Sequence, residues 1–195
     1  MHLEIRKTVG IALFLLMAAC ENPFSTRTPE PPEQNSSTFI PPTSPDVVFI
    51  NLRVAIREKN VENYIRCFVD STRSNQRFTF VADPLAAFNH SELLSWDLRD
   101  ERGYVVRLFQ ATPSDSTRIL TITNGSPTPD GPDQATLSTN YTIIIEHTQQ
   151  GTPTVYRGLS NFLLEKNQTG DWAIYRWSDF NTGVDPSWSE LKALF

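Results

Sequence analysis

The spacing of apolar positions changes character along the chain. Residues 9–17 are apolar almost without a break, with Ile11, Leu13, Phe14, Leu15 and Leu16 among them. Residues 21–44 show no apolar period at all. From 46 onward apolar residues recur at helical spacing, first Val48, Leu52, Ala55 and Ile56, then Val61, Tyr64, Ile65 and Phe68. This predicts two short helices packed as a hairpin. Ser44, Pro45 and Asp46 provide an N-cap, a proline at the first helical position and an acid in the first turn, and Asn60 caps the second helix. Phe78-Thr79-Phe80-Val81 alternates as a short strand that Asp83-Pro84 ends, and a loop runs on through His90. A third helix is expected from Ser95, carrying Trp96, Tyr104, Val105, Leu108 and Phe109, with Gly103 inside it at a cost of ~1 kcal/mol against alanine.

From Thr117 the period drops to two. Strands are predicted at 118–123, 135–147, 154–165 and 172–179, separated by a Gly/Pro-rich loop at 124–132 and by turns at 149–151 and 167–171. Helices first and a meander afterwards give an α+β class, with the helices on one face of a strongly curved antiparallel sheet. Strict alternation in the last strand puts Trp172 and Ile174 on one face and Tyr175, Trp177 and Asp179 on the other. Both faces are then aromatic. One is expected to meet the helices, the other a second copy of the chain or the tail. That tail, residues 187–195, reads as one or two amphipathic turns capping the sheet.

The amino-terminal third organises differently. Arg6 and Lys7 precede the apolar run and Ala18-Ala19-Cys20 follow it, the order of a secretory signal peptide. The run is about half of the ~20 residues that span a bilayer, so a transmembrane helix is not expected. Seven of the 14 prolines lie before residue 46, and they make residues 20–45 a hydrated spacer. At ~3 Å per residue it could hold a domain up to ~70 Å away. Residues 46–195 are then one domain.

Composition narrows the function classes. Lys+Arg 17 against Asp+Glu 22, net −5, leaves no cationic excess for phosphate neutralisation, which excludes the usual nucleic-acid binder. Cys67, in a helical apolar pattern, is expected to be a buried small residue. No Gly-rich phosphate loop and no nucleophile elbow are present, because Gly158-Leu159-Ser160 lies inside a predicted strand. His90 and His147 are far apart with no acid at ligand spacing, so neither a metal nor another cofactor is expected.

Leu16-Met17-Ala18-Ala19-Cys20 resembles the lipobox of bacterial lipoproteins, with Met17 standing where leucine is commoner. The resemblance implies that Cys20 becomes the first residue after cleavage and carries three acyl chains, palmitate among them. Residues 1–19 would be removed, and the mature chain would be attached to membrane lipid, in the outer membrane facing the periplasm.

The domain resembles the nuclear transport factor two-like superfamily, the cone-shaped α+β barrel that also houses ketosteroid isomerase. The residues that carry this are Lys59-Asn60-Val61-Glu62-Asn63-Tyr64 leading to Phe68, the Phe78-Thr79-Phe80 strand, and the closing phrase from Gly158 through Phe162-Leu163-Leu164 to Trp172-Ala173-Ile174-Tyr175-Arg176-Trp177-Ser178-Asp179. The resemblance implies a pocket between helices and concave sheet, used as an enzyme site, a ligand cavity or core filling, and an outer sheet face that forms homodimers. Isomerases of this fold use a carboxylate base after the first strand, a tyrosine on the first helix and a protonated acid on a later strand. Asp83 matches the first; the other two fall near Leu52 and Ser160 and do not match.

Asp83 and His90 are therefore the candidate proton-transfer groups. Trp96, Tyr104, Tyr141, Trp172 and Trp177 are the aromatics expected to line a pocket for a small hydrophobic ligand, or an interface with an envelope protein. The leading expectation is a lipid-anchored, periplasm-facing binding or assembly module without enzymatic activity. The alternative is an isomerase or hydratase acting on a small apolar substrate with Asp83 as general base. The direction of the Asp83 carboxylate, into a cavity or away from one, separates them.

Overall fold

The structure is a computed structural model that describes residues 38–123 and 125–195. The expected signal peptide, the expected acylation site Cys20 and most of the expected spacer lie outside those residues. The last stretch of the expected spacer belongs to the domain. Ile40 N–H donates to Asn51 Oδ1 at 2.9 Å, Asn51 Nδ2 returns a bond to Ile40 O at 2.7 Å, and Trp172 N–H donates to Pro42 O at 2.8 Å.

Helix α1 (Pro45–Glu58) buries Val48, Leu52, Ala55 and Ile56, as its spacing requires, and ends on Lys59 in the left-handed region, φ 56°. Helix α2 (Val61–Ile65) starts where the Asn60 side chain accepts from Asn63 N–H. Cys67 follows, buried, with its thiol bonded to Asn63 O and its pKa pushed up by burial. Strand β1 (Thr79–Val81) is as short as Asp83-Pro84 suggests. Where a loop is expected, the chain forms α3 (Pro84–Asn89) and a 3-10 helix (Ser91–Ser95). Leu85 and Phe88 of α3 are exposed at 63% and 86%, so its apolar residues do not mark a buried face.

Helix α4 (Leu98–Ala111) begins two residues later than a Ser95 cap suggests. Asp97 accepts from Arg99 and Asp100 N–H while Asp100 accepts from Asp97 N–H, a capping box that outcompetes the serine and leaves Trp96 outside the helix.

The strands are β2 (Arg118–Thr123), β3 (Thr128–Pro129), β4 (Gln134–Ile145), β5 (Val155–Lys166) and β6 (Trp172–Phe180), followed by α5 (Trp188–Leu194). The sheet runs β1-β6-β5-β4-β2, with β3 paired to β4 at the side. It is a mixed sheet rather than the all-antiparallel one expected, because β1 pairs β6 in parallel, Phe80 opposite Trp177. A local period cannot report that pairing, which joins residues nearly a hundred apart.

A second departure lies in β6. Its register against β5 slips between Leu163 and Leu164, so Ile174 faces Leu164 while Arg176 faces Leu163, and Tyr175 is the extra residue. The bulge turns Ile174, Trp177 and Asp179 all into the core, each fully buried. The aromatic outer face expected from strict alternation is thereby removed. What remains outside is mixed: Arg157 and Arg176 are exposed, Leu159, Leu163 and Tyr175 half-buried.

Candidate functional site

The space between the helices and the concave sheet is where a pocket of this architecture would lie, and it is filled by α5. Trp188, Leu191 and Lys192, at helical spacing on one face, are all buried. The Trp188 indole sits edge-on to Trp177, with ring centroids 4.3 Å apart, and 5.3 Å from the Tyr141 ring. Burial of such a face contributes roughly 1.5–3 kcal/mol per large side chain, enough to hold a short helix in place.

Two buried polar clusters complete the interior. In the first, Glu101 of α4 accepts from Tyr64 Oη at 2.7 Å, from Trp96 Nε1 at 2.7 Å, and from the Lys192 ammonium on both carboxylate oxygens. The Glu101 and Lys192 side chains have no solvent exposure. The ammonium also lies 4.3–4.7 Å from the ring centroids of Trp177, Phe80 and Tyr104, a cage of aromatic faces that compensates for lost hydration. Burial still pulls the Lys192 pKa down to about 8, with the Glu101 charge opposing that shift. Burial and the Glu101 carboxylate together push the Tyr64 and Tyr104 hydroxyls well above the usual phenol range.

The second cluster centres on Asp179 of β6. Tyr141 Oη donates to Asp179 Oδ1 at 2.7 Å, and Ser189 N–H and Oγ donate to Oδ2 at 2.8 and 2.7 Å. Trp188 N–H donates to Tyr141 Oη at 2.7 Å, so both groups hold the first turn of α5. Burial raises the Asp179 pKa, while the Ser189 and Tyr141 bonds act against that rise. Burial, then the neighbouring Asp179, raises that of Tyr141.

Asp83 points neither into a cavity nor to solvent. Its Oδ1 accepts from Leu85 and Ala86 N–H, capping α3, and its Oδ2 accepts from Asn181 N–H at 2.9 Å. Three backbone donors bind this carboxylate, which makes it a clasp between α3 and the end of β6. His90 is half-buried at the end of α3, with Nδ1 3.5 Å from Glu92 Oε1, and faces no carboxylate of the interior. Ser160, near the position of the isomerases' later acid, accepts from Trp177 Nε1 at 3.0 Å; the buried acid is instead Asp179, directly across the strand pair from it.

Of the five expected pocket aromatics, Trp96, Tyr104, Tyr141 and Trp177 converge on the interior around α5, all buried. Trp172 lies elsewhere. Glu101, Asp179 and Lys192 were not singled out as site residues by their sequence. A signal for two of them exists: Glu101 falls in one stripe with Tyr104, Val105 and Leu108, and Lys192 in one stripe with Trp188, Leu191 and Phe195. A charge inside an apolar stripe marks a buried ion that requires a partner.

Trp172 borders an open concavity, a groove of about 630 Å³ formed by α2, the start of α4, the β5–β6 turn and the segment before α1. Its floor is apolar, with Ile65, Phe68, Val69, Leu98, Trp172 and Ala173, and four arginines stand along it, Arg66, Arg73, Arg99 and Arg102. Arg102 donates to Glu62 through both terminal guanidinium nitrogens, Nη1 and Nη2, and Arg66 Cζ lies 3.8 Å from the centre of the Phe39 ring. Among the described residues, no group of three His, Cys, Asp or Glu side chains is placed to hold a metal, and no helix is long and apolar enough to cross a membrane.

No protein-family model matches this sequence, and no curated protein does. Solved structures do match its fold. A candidate aromatic ring hydroxylase from Novosphingobium aromaticivorans superposes with a TM-score of 0.55 at 13% identity, over 75% of this chain and 92% of that one. An NTF2-like protein of unknown function in nutrient uptake from Rhodospirillum rubrum gives 0.53 at 8% identity, over 71% and 98%. A candidate calcium/calmodulin-dependent protein kinase II association domain from Xanthomonas campestris gives 0.52 at 12%, over 70% and 84%.

Proposed function

On the nuclear transport factor two-like cone fold that this chain shares with those structures, we propose that it is a binding or assembly module without enzymatic activity, anchored by lipid on Cys20 and facing the periplasm. The observation that supports this reading is the filled cone. Every carboxylate near the position of a catalytic base is engaged by the chain itself: Asp83 by three backbone N–H groups, Asp179 by Tyr141 and Ser189, Glu101 by Lys192, Tyr64 and Trp96. A general base has to reach a substrate proton, at roughly 2.6–3.2 Å or through one water. Here α5 occupies that space.

Recognition in this reading belongs to the outer surfaces, with the sheet face as the surface for a second copy or an envelope protein. Two measurements test it. Cys20→Ser is expected to release the protein from the membrane fraction and leave an uncleaved, unacylated precursor; unchanged mass and fractionation would overturn the anchor. Hydrogen exchange of the amides in 188–194 is expected to be as slow as in β5, because Trp188 and Ser189 N–H are bonded inside the core. Fast exchange confined to α5 would mean an opening cone, and would restore the isomerase-type alternative.

A further inference from the structure

We propose that the arginine-lined groove beside Trp172 binds a small amphipathic oxyanion, a carboxylate or phosphate head on an apolar body. The inference rests on the reading of the domain as a binding module and names the ligand chemistry for one of its surfaces.

Three features carry it. The groove, at about 630 Å³, falls within the ~300–1,000 Å³ of sites that enclose small molecules. It is positive in an acidic chain: four arginines face three carboxylates, Glu62, Asp70 and Asp171, whereas the whole chain is net −5. And its two pairs of arginines differ. Arg102 is engaged by Glu62, and Arg66 is stacked on Phe39, but the side chains of Arg73 and Arg99 make no hydrogen bond or ion pair among the described residues.

Each of those two has an acid nearby, Asp70 for Arg73 and Asp97 for Arg99, that its guanidinium influences through charge without a hydrogen bond. Glu62 is taken by Arg102, and Asp70 accepts from Thr72 N–H at 2.9 Å, which together with a Thr72 side-chain bond and the Arg73 charge holds its pKa down. A planar guanidinium recognises a carboxylate or phosphate through two parallel N–H bonds, and exposed guanidinium groups lining one groove are suited to such an oxyanion. The floor makes a second demand. Phe68, Val69, Trp172 and Ala173 offer apolar surface that a hydrated inorganic anion leaves uncovered, so the ligand that gains from both has an apolar body. A cation is repelled by the same arginines, and a neutral hydrophobe leaves Arg73 and Arg99 as they are.

The test uses the domain from Ser37 to Phe195, one compact unit with its own core. Decanoate, dodecyl phosphate, inorganic phosphate and decyltrimethylammonium are titrated below their aggregation concentrations, followed by calorimetry and by amide and indole NMR shifts. Decanoate or dodecyl phosphate is expected to saturate and to shift Leu98, Arg99, Trp172 and Ala173, and the tighter of the two identifies the head group. Arg73→Gln combined with Arg99→Gln is expected to weaken that binding by ~10-fold or more, the loss of charge-assisted hydrogen bonds, with Tm unchanged because both side chains are exposed. Unchanged affinity in the double variant, equal binding of decyltrimethylammonium, or inorganic phosphate binding as tightly as dodecyl phosphate would each overturn the inference. Shifts centred on Trp188 and Tyr141 would overturn it too, and would point to the cone. Loss of the groove site alone leaves the binding-module reading standing, whereas chemical conversion of a bound probe would overturn that reading.

Discussion

The cone interior and the outer groove are built from similar side chains and behave as opposites. Both combine aromatic rings with charged groups. In the interior each charge meets a partner from a distant part of the same chain: Lys192 meets Glu101 and Asp179 meets Tyr141 and Ser189. In the groove, Arg73 and Arg99 line apolar surface, and their side chains make no hydrogen bond or ion pair among the described residues. Desolvation explains the difference. A charge removed from water costs several kcal/mol unless it is paired, so a buried ion must find its partner during folding, while an exposed arginine stays hydrated until a ligand arrives. The interior therefore reads as architecture and the groove as a place for recognition, although residue type alone favours the interior as a site.

The comparison can be broken first at Glu101. Glu101→Ala leaves the Lys192 ammonium buried without a counter-charge and two donors, Tyr64 Oη and Trp96 Nε1, without an acceptor. A loss of about 3–5 kcal/mol is expected in urea unfolding, against a smaller loss when Glu101→Met and Lys192→Met are combined, since no buried charge is then left unpaired and only the Tyr64 and Trp96 donors lose their acceptor. A double variant as unstable as the single one would show that the pair holds α5 by more than charge.

Alkaline pH tests the same interior. Tyr64, Tyr104, Tyr141, Tyr156 and Cys67 all have folded pKa values raised mainly by burial. The stability each contributes is complete below its unfolded pKa, about 10 for tyrosine and 8.5 for cysteine, and is lost as pH rises beyond it. Lys192 has the opposite sign: lowered to about 8, it costs stability while protonated in the fold, and that cost is lifted between its folded value and its ordinary one. Five groups against one give a net fall in the urea midpoint above about pH 10. Tyr64→Phe is expected to make that fall shallower; an unchanged slope would mean that the tyrosine is not buried in solution.

The smallest effect is expected at Asp83. Asp83→Ala removes the α3 cap and the Asn181 bond, at about 1–2 kcal/mol, without altering any binding measured at the groove. A large effect on ligand binding or turnover, with stability kept, would return Asp83 to the role of a catalytic base.

How much of this was legible can be judged residue by residue. The α1 stripe, the Asn60 cap and strands β2, β4 and β5 follow from periodicity within a dozen residues, and they appear within a residue or two of their expected ends. Strict alternation fails in β6 because one inserted residue, Tyr175, reverses the parity of everything after it, and its cause is the register against β5. Helix α4 begins at a capping box that the nearby Ser95 obscured. Lys192 was visible as a cation in an apolar stripe, but its partner lies 91 residues away.

The amino-acid sequence alone carried what local chemistry decides: most of the helices and strands and the α+β class, with the cone implied by the family resemblance. Periodicity and capping act between neighbours, so they can be read from neighbours. The full cone, the placing of Glu101 and Asp179 among its aromatics while the buried Asp83 clasps α3, and the open groove beside Trp172 came only with the tertiary structure. Those outcomes depend on which distant groups reach one another in a medium of low polarity, and a one-dimensional pattern carries no distance between them.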